Sequence, residues 1–169
     1  MPRMTVPSTR TIALVCAVAA GGALGFAWVL QNWVGLAPCA LCLWERWPYR
    51  VIAVLALLAM VLPRGVARAL LWLAVLAALA DLALGFVHVG VEQHYWPSPL
   101  PECAAPTFSG GSIADMLKSM PTQPAKPCDS PNFLIPGLPV SLAAMDLLYA
   151  TALALLLSFA LRQSGRHHS

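Results

Sequence analysis

The chain has 169 residues, of which 59% are hydrophobic and 10% charged, and a mean hydropathy of +0.73. That balance excludes an ordinary soluble globular domain and describes an integral membrane protein. The formal charge of +3 comes from basic residues flanking the apolar runs and calls for no nucleic-acid partner.

The first apolar run, 11–31, follows Arg3 and Arg10 and continues through Trp28, Val29 and Leu30. This is too long for the apolar core of a secretory signal, and Trp28 with Trp33 suits an aromatic belt at the far interface, so a retained spanning helix is predicted. Cys16 lies in the middle of the run with no second cysteine near it in sequence and reads as a small packing group.

Cys39-Ala40-Leu41-Cys42 follows in a short connection, 32–45, just ahead of the second run. A Cys-x-x-Cys pair can close as a disulfide, and at a helix start its thiolate is favoured by unpaired backbone N–H groups and the helix dipole. The same pair can also be half of a zinc site. The second span is expected over 46–62, with Pro48 in its first turn. Arg46 stands four residues after Cys42, on the same face of a helix beginning near the motif, where a permanent cation can stabilise a thiolate or an electron acceptor. Arg46 also fits an interfacial residue paired with Glu45, and Trp44 and Trp47 fit either a flat aromatic ligand or the interfacial belt.

The third span, 68–91, carries Asp81 near its centre, where a carboxyl costs about 3 kcal/mol on insertion scales and is a functional suspect. His88 and Glu92, four apart near the outer end, can share a helical face and either bond to each other or flank a ligand.

The segment 92–139 holds ten of the fifteen prolines and therefore forms neither continuous helix nor sheet. It contains Cys103 and Cys128, whose bridging in an oxidising compartment would stabilise the fold by about 3 to 4 kcal/mol. Between them, Ser112 to Asp115 resembles a capping box, and Ile113, Met116, Leu117 and Met120 recur at helical spacing, so a short amphipathic helix is expected there. The fourth span is expected over 140–161, with Asp146 near the interface.

Four spans place both termini on one side. Arg3, Arg10, Arg64, Arg68, Arg162 and Arg166 all fall on that side, which makes it cytoplasmic. The connections 32–45 and 92–139 then share the opposite compartment, so four thiols can exchange through mixed disulfides. No His cluster with metal-ligand spacing is visible in the sequence.

Pro38-Cys39-Ala40-Leu41-Cys42 leading into Leu43-Trp44-Glu45-Arg46, then Tyr95-Trp96-Pro97-Ser98-Pro99 ahead of Cys103, and Cys128 before the last helix, resembles the bacterial disulfide bond formation protein DsbB family. The resemblance covers about 11–163. The related vitamin K epoxide reductases place their Cys-x-x-Cys after the loop pair, whereas here it comes before.

What the resemblance implies is an all-α four-helix membrane bundle in the bacterial inner membrane, with redox loops in the periplasm. It would reoxidise a periplasmic thioredoxin-fold thiol oxidase of the DsbA type and pass two electrons to a membrane quinone, ubiquinone or menaquinone. In that frame Cys103 forms the mixed disulfide with the partner and Cys128 resolves it. Cys39 then exchanges with the loop pair, Cys42 faces the quinone as a thiolate, and Arg46 supports quinone binding. Trp44, His88 and Glu92 are further candidates for quinone contact. The alternatives are a disulfide-stapled scaffold without catalysis, and a zinc- or copper-binding membrane protein.

Overall fold

The computed structural model describes residues 7–103, 126–134 and 140–166. Four long helices account for most of them: α1 Thr9–Asn32, α2 Ala40–Val61, α3 Arg64–Glu92 and α4 Leu142–Arg166. A single 3-10 turn, Pro101–Cys103, lies between α3 and α4. Among the described residues there is no strand, only isolated bridges between Cys39 and Lys126 and between Phe133 and Ser141. The amphipathic helix expected around 112–120 lies outside the described residues.

The bundle is all-helical, as expected. α1, α3 and α4 are each long and apolar enough to cross a membrane. α2 is shorter and carries Glu45, Arg46 and Arg50 in its first half, so polar chemistry enters the bundle through this helix. It packs between α1 and α3, and α4 closes the bundle against α3 and, more lightly, α1.

The start of α2 departs furthest from the sequence expectation, and it changes the place of Pro48. α2 begins at Ala40, six residues before the expected start, because Cys39 serves as its N-cap: its Sγ accepts the Cys42 N–H at 3.2 Å. Pro48 therefore lies inside the helix, buried, rather than in its first turn, and the helix continues through it to Val61. α1 is capped more conventionally, with Ser8 Oγ accepting the Thr11 N–H at 3.2 Å.

The core is built from small side chains. Ala13, Ala20, Ala56, Ala59, Ala67, Ala74, Ala78 and Ala154 are buried and let the backbones approach closely, as in other membrane bundles. Cys16 is buried among them, the packing position expected for it. Gly85 shows how close the approach becomes: a Cβ there would stand 3.3 Å from the Leu147 Cα of α4. The outer faces carry exposed Val15, Val18, Leu57, Leu76, Phe86, Leu155, Leu156 and Phe159, an apolar surface that suits lipid rather than water.

The two ends of the bundle differ in charge. Arg10 and Arg64 line one groove at the end away from the cysteines, and Arg68 of α3 donates from Nη2 to the Leu161 carbonyl near the end of α4. At the opposite end the chain after α3 folds back. Trp96 Nε1 donates to the Val87 carbonyl at 3.1 Å and its ring covers Gly90, where a Cβ would collide with the indole. This return carries the 3-10 turn, and with it Cys103, to the mouth of α2.

Candidate functional site

All four outer cysteines meet at the start of α2. Cys103 and Cys128 form a disulfide and pack with Cys39, Leu41 and Val91 in one buried cluster that Cys42 and Leu100 adjoin. The bridge between Cys39 and Lys126 lays the segment carrying Cys128 alongside the motif. Cys39 and Cys42 are free thiols with their Sγ atoms 2.7 Å apart, so little motion separates them from a closed bridge.

The contacts that favour an anion converge on Cys39. Its sulfur accepts the Cys42 N–H at the helix start and lies 3.4 Å from His88 Nε2. The side-chain contact with Cys42 holds the Cys39 thiol below its ordinary value; burial opposes this, and the Cys42 backbone N–H adds to the lowering. His88 is itself fixed from the other side, with Nδ1 2.8 Å from Glu45 Oε1, and both residues are buried. Cys39, His88 and Glu45 thus form a continuous chain from a thiol to a carboxylate, the arrangement by which an orienting acid holds an imidazole against a nucleophile.

Cys42 instead lines a cavity of about 310 Å³ between α1, α2 and α4. Its walls are mostly apolar, including Leu24, Phe26, Leu30 and Met145, and the convergent polar groups are Gln31, Glu45, Arg46, Tyr49 and Asp146. That size and mixture describe a site for a small, largely apolar molecule with a few polar atoms. Arg46 faces the same cavity as Cys42, and its Nη1 donates to Gln31 Oε1 at 2.8 Å. Glu45, expected as its partner, bonds to His88 instead, because His88 is the buried group that needs an acceptor.

The remaining sequence candidates fall elsewhere. Trp44 is half exposed on the outer face of α2 and is absent from the cavity wall. Glu92 accepts a hydrogen bond from Ser141 Oγ, tying the end of α3 to the start of α4, and does not bond to His88. Asp146 does not sit at a polar surface: Oδ1 accepts from the Tyr49 hydroxyl at 2.8 Å and Oδ2 is buried without a partner among the described residues. Both oxygens of Asp81 are likewise buried and unpartnered among the described residues.

Sequence reasoning missed Gln31, Tyr49 and the Glu45–His88 pair. A signal existed for the last: a buried acid and a buried imidazole in apolar helices each require a partner. Spacing along the sequence shows no His cluster for a metal, and only the fold adds a His to the cysteine motif. The fold brings His88, 49 residues from Cys39, to the motif, and potential ligand atoms of Cys39, Cys42 and His88 lie within 4.8 Å of one another.

The model of the disulfide bond formation protein DsbB family matches residues 9–160, nearly the whole helical bundle. The chain belongs to this family. It is 30% identical over 169 aligned positions to disulfide bond formation protein B of Ralstonia nicotianae, covering 94% of this chain and 98% of that one. The protein of the same name from Aromatoleum aromaticum is 32% identical over 120 positions, 71% of this chain and 69% of its own. The match to the Dechloromonas aromatica protein is 35% over 82 positions, about half the length of each, 48%. No solved structure matches the chain. Family and fold together make this a membrane protein of disulfide bond formation, an oxidoreductase of the disulfide class.

Proposed function

We propose that the protein is a quinone-dependent thiol oxidase of the bacterial inner membrane. It would draw electrons from a periplasmic thioredoxin-fold partner of the DsbA type through two cysteine pairs. The observation that carries this reading is the position of Cys42, which touches the buried cluster containing the Cys103–Cys128 disulfide and also lines the cavity that Arg46 faces.

Electrons then move by exchange of sulfur bonds. A partner thiolate attacks Cys103 and displaces Cys128; the partner's second thiol resolves the mixed disulfide and leaves oxidised, so that Cys103 and Cys128 hold two electrons as thiols. The loop dithiol next reduces a Cys39–Cys42 disulfide in the same manner, regenerating its own bridge. His88 and Glu45 hold the proton balance at Cys39, taking the thiol proton as the thiolate forms and returning it afterwards.

The cavity fits a quinone head group. Arg46, Gln31, Tyr49 and Asp146 would meet its oxygens, and the apolar walls its ring and the start of its tail. A bound quinone supplies a two-electron sink, which a strongly oxidising thiol partner requires: for such a couple about 30 mV corresponds to 1.4 kcal/mol. Arg46 offsets negative charge at the sulfur and the acceptor alike. The basic end of the bundle, with Arg10, Arg64 and Arg68, faces the cytoplasm with both termini, and the cysteine end faces the periplasm.

The deciding experiment mixes purified protein with a reduced thioredoxin-fold thiol oxidase and a quinone and follows quinone absorbance. Thiol-dependent loss of the quinone signal is expected, and its absence with both ubiquinone and menaquinone analogues would overturn the reading. A metal-holding role for Cys39, Cys42 and His88 predicts stoichiometric zinc or copper, whereas the oxidase predicts turnover that survives chelation.

A further inference from the structure

Three polar residues come together inside the bundle beside the cavity, two of them on its wall. Tyr49 of α2 is buried, and its hydroxyl donates to Asp146 Oδ1 of α4 at 2.8 Å; both residues line the cavity. Asp146 Oδ2 is unpartnered among the described residues. Asp81 of α3 is fully buried, with both oxygens unpartnered among the described residues, and lies within electrostatic reach of Tyr49 and Asp146.

Packing alone does not account for this arrangement. A carboxylate inside a membrane bundle is costly even on the most lenient scale, and two close together, with no cation hydrogen-bonded to either among the described residues, cost more. Arg46, the cation of the same cavity, bonds to Gln31, and His88 bonds to Glu45, so neither hydrogen-bonds to these two acids, although His88 lies within electrostatic reach of Asp146. The form that the site accommodates is the neutral acid, a group able to give up a proton.

We propose that Asp146 is the acid that protonates an oxygen of the cavity ligand as electrons arrive from Cys42. Tyr49 positions it, and Asp81 holds a reserve proton behind it. This deepens the quinone reading and rests on it. Asp146 carries its proton on Oδ2, while Oδ1 is held by the Tyr49 hydroxyl. When the ligand oxygen takes that proton, Asp81 recharges Asp146.

The ledger closes. The Cys39–Cys42 dithiol gives up two electrons and two protons as its S–S bond forms, and the quinone takes two electrons and two protons as its two carbonyls become hydroxyls. The proton lent by Asp146 is returned from those released by the thiols, so the acids end the turnover as they began. No further oxidant or reductant enters.

The test combines infrared spectroscopy of the quinone-free protein with single-turnover kinetics. The wild-type spectrum should show the C=O stretch of protonated carboxyls, with one component lost in Asp146→Asn and the same component shifted in Tyr49→Phe. At saturating quinone, so that any change in affinity is separated from the rate, Asp146→Asn should slow thiol-to-quinone transfer by about 100-fold, the lower range of general acid catalysis. Asp146→Glu should recover part of that loss. Asp81→Asn should give a burst of quinone reduction followed by a slower steady state.

Absence of the protonated-carboxyl band in wild type, or wild-type transfer in Asp146→Asn, overturns the proposal and leaves the oxidase reading intact. If wild type turns over many equivalents of partner thiol with no quinone at all, beyond the stoichiometric amount its own bridge oxidises, the oxidase reading fails and the proposal falls with it, whatever the infrared spectrum shows. Each variant retains the size of the native side chain or nearly so, and an intact Cys103–Cys128 disulfide verifies its fold.

Discussion

The two cysteine pairs stand against each other in one cluster yet are surrounded differently. Cys103 and Cys128 are bridged and pack in a cluster with Leu41, Val91 and Leu100. Cys39 and Cys42 are free thiols in a setting of ionisable groups, with His88, Glu45 and the helix start on one sulfur and the Arg46 cavity beside the other. A disulfide in apolar surroundings is stable until a thiolate attacks it, whereas a dithiol among acids, bases and a cation is prepared to lose protons and electrons. In the proposed function the first pair exchanges with the partner and the second is oxidised by the quinone.

The largest effect expected from breaking this difference is at Cys42. Cys42→Ala should abolish thiol-dependent quinone reduction, because the sulfur on the cavity wall is gone, while a partner dithiol still reduces the Cys103–Cys128 bridge once. Stoichiometric partner oxidation without turnover, measured by thiol counting, is the expected result. Full turnover in this variant would make the cavity irrelevant to the chemistry. Arg46→Gln comes next. It keeps a donor for Gln31 but removes the charge, so the apparent KM for quinone should rise by about 10-fold or more, as when a charge-assisted contact becomes neutral, with loop-pair exchange unchanged.

Much of this comparison was legible in the sequence, and the illegible part has a common physical origin. Cys39, Cys42 and Arg46 sit within eight positions of one another on one helix, so spacing alone placed them together. The union of both cysteine pairs on one side followed from counting spans and basic residues. His88 against Cys39 and Tyr49 against Asp146 join different helices, across 49 and 97 positions, and depend on how the helices rotate in the bundle. Local periodicity does not encode that rotation when, as here, whole helices are apolar and the buried face is marked mainly by alanine. The early start of α2 was hidden for another reason: a cysteine is an unusual N-cap, and Pro48 suggested a boundary that the helix does not respect.

A smaller effect concerns pH. The Cys39 thiol is held low chiefly by the contact with Cys42. In the dithiol protein its thiolate absorbance should therefore titrate below the ordinary thiol value of about 8.5. The sign is that of a depressed acid: the thiolate adds stability above the ordinary value, and this is lost as pH falls through the lowered one. Thiolate-dependent steps at Cys39 should slow on the same acid limb. Cys42→Ala should move the titration upward, and a titration that stays in place would assign the lowering to the helix start and His88 instead.

The smallest effect is expected at Cys16, and it sharpens the comparison from outside. Cys16 is a third kind of thiol, 2% exposed and packed among Ala13, Ala20 and Ala56 in the small-residue core. No hydrogen-bonding group or cation stabilises an anion there, so neither oxidation nor exchange has a starting point. Cys16→Ala should leave partner oxidation and quinone reduction at wild-type rates. It removes one buried sulfur from a well-packed wall, at a cost of about 1 kcal/mol, the usual magnitude for a single mutation. A loss of activity beyond what that destabilisation explains would place Cys16 in the electron path and would make burial among alanines a poor guide to inertness. Unchanged turnover with a slightly lower melting temperature would show that reactivity in this bundle follows the surroundings of each sulfur.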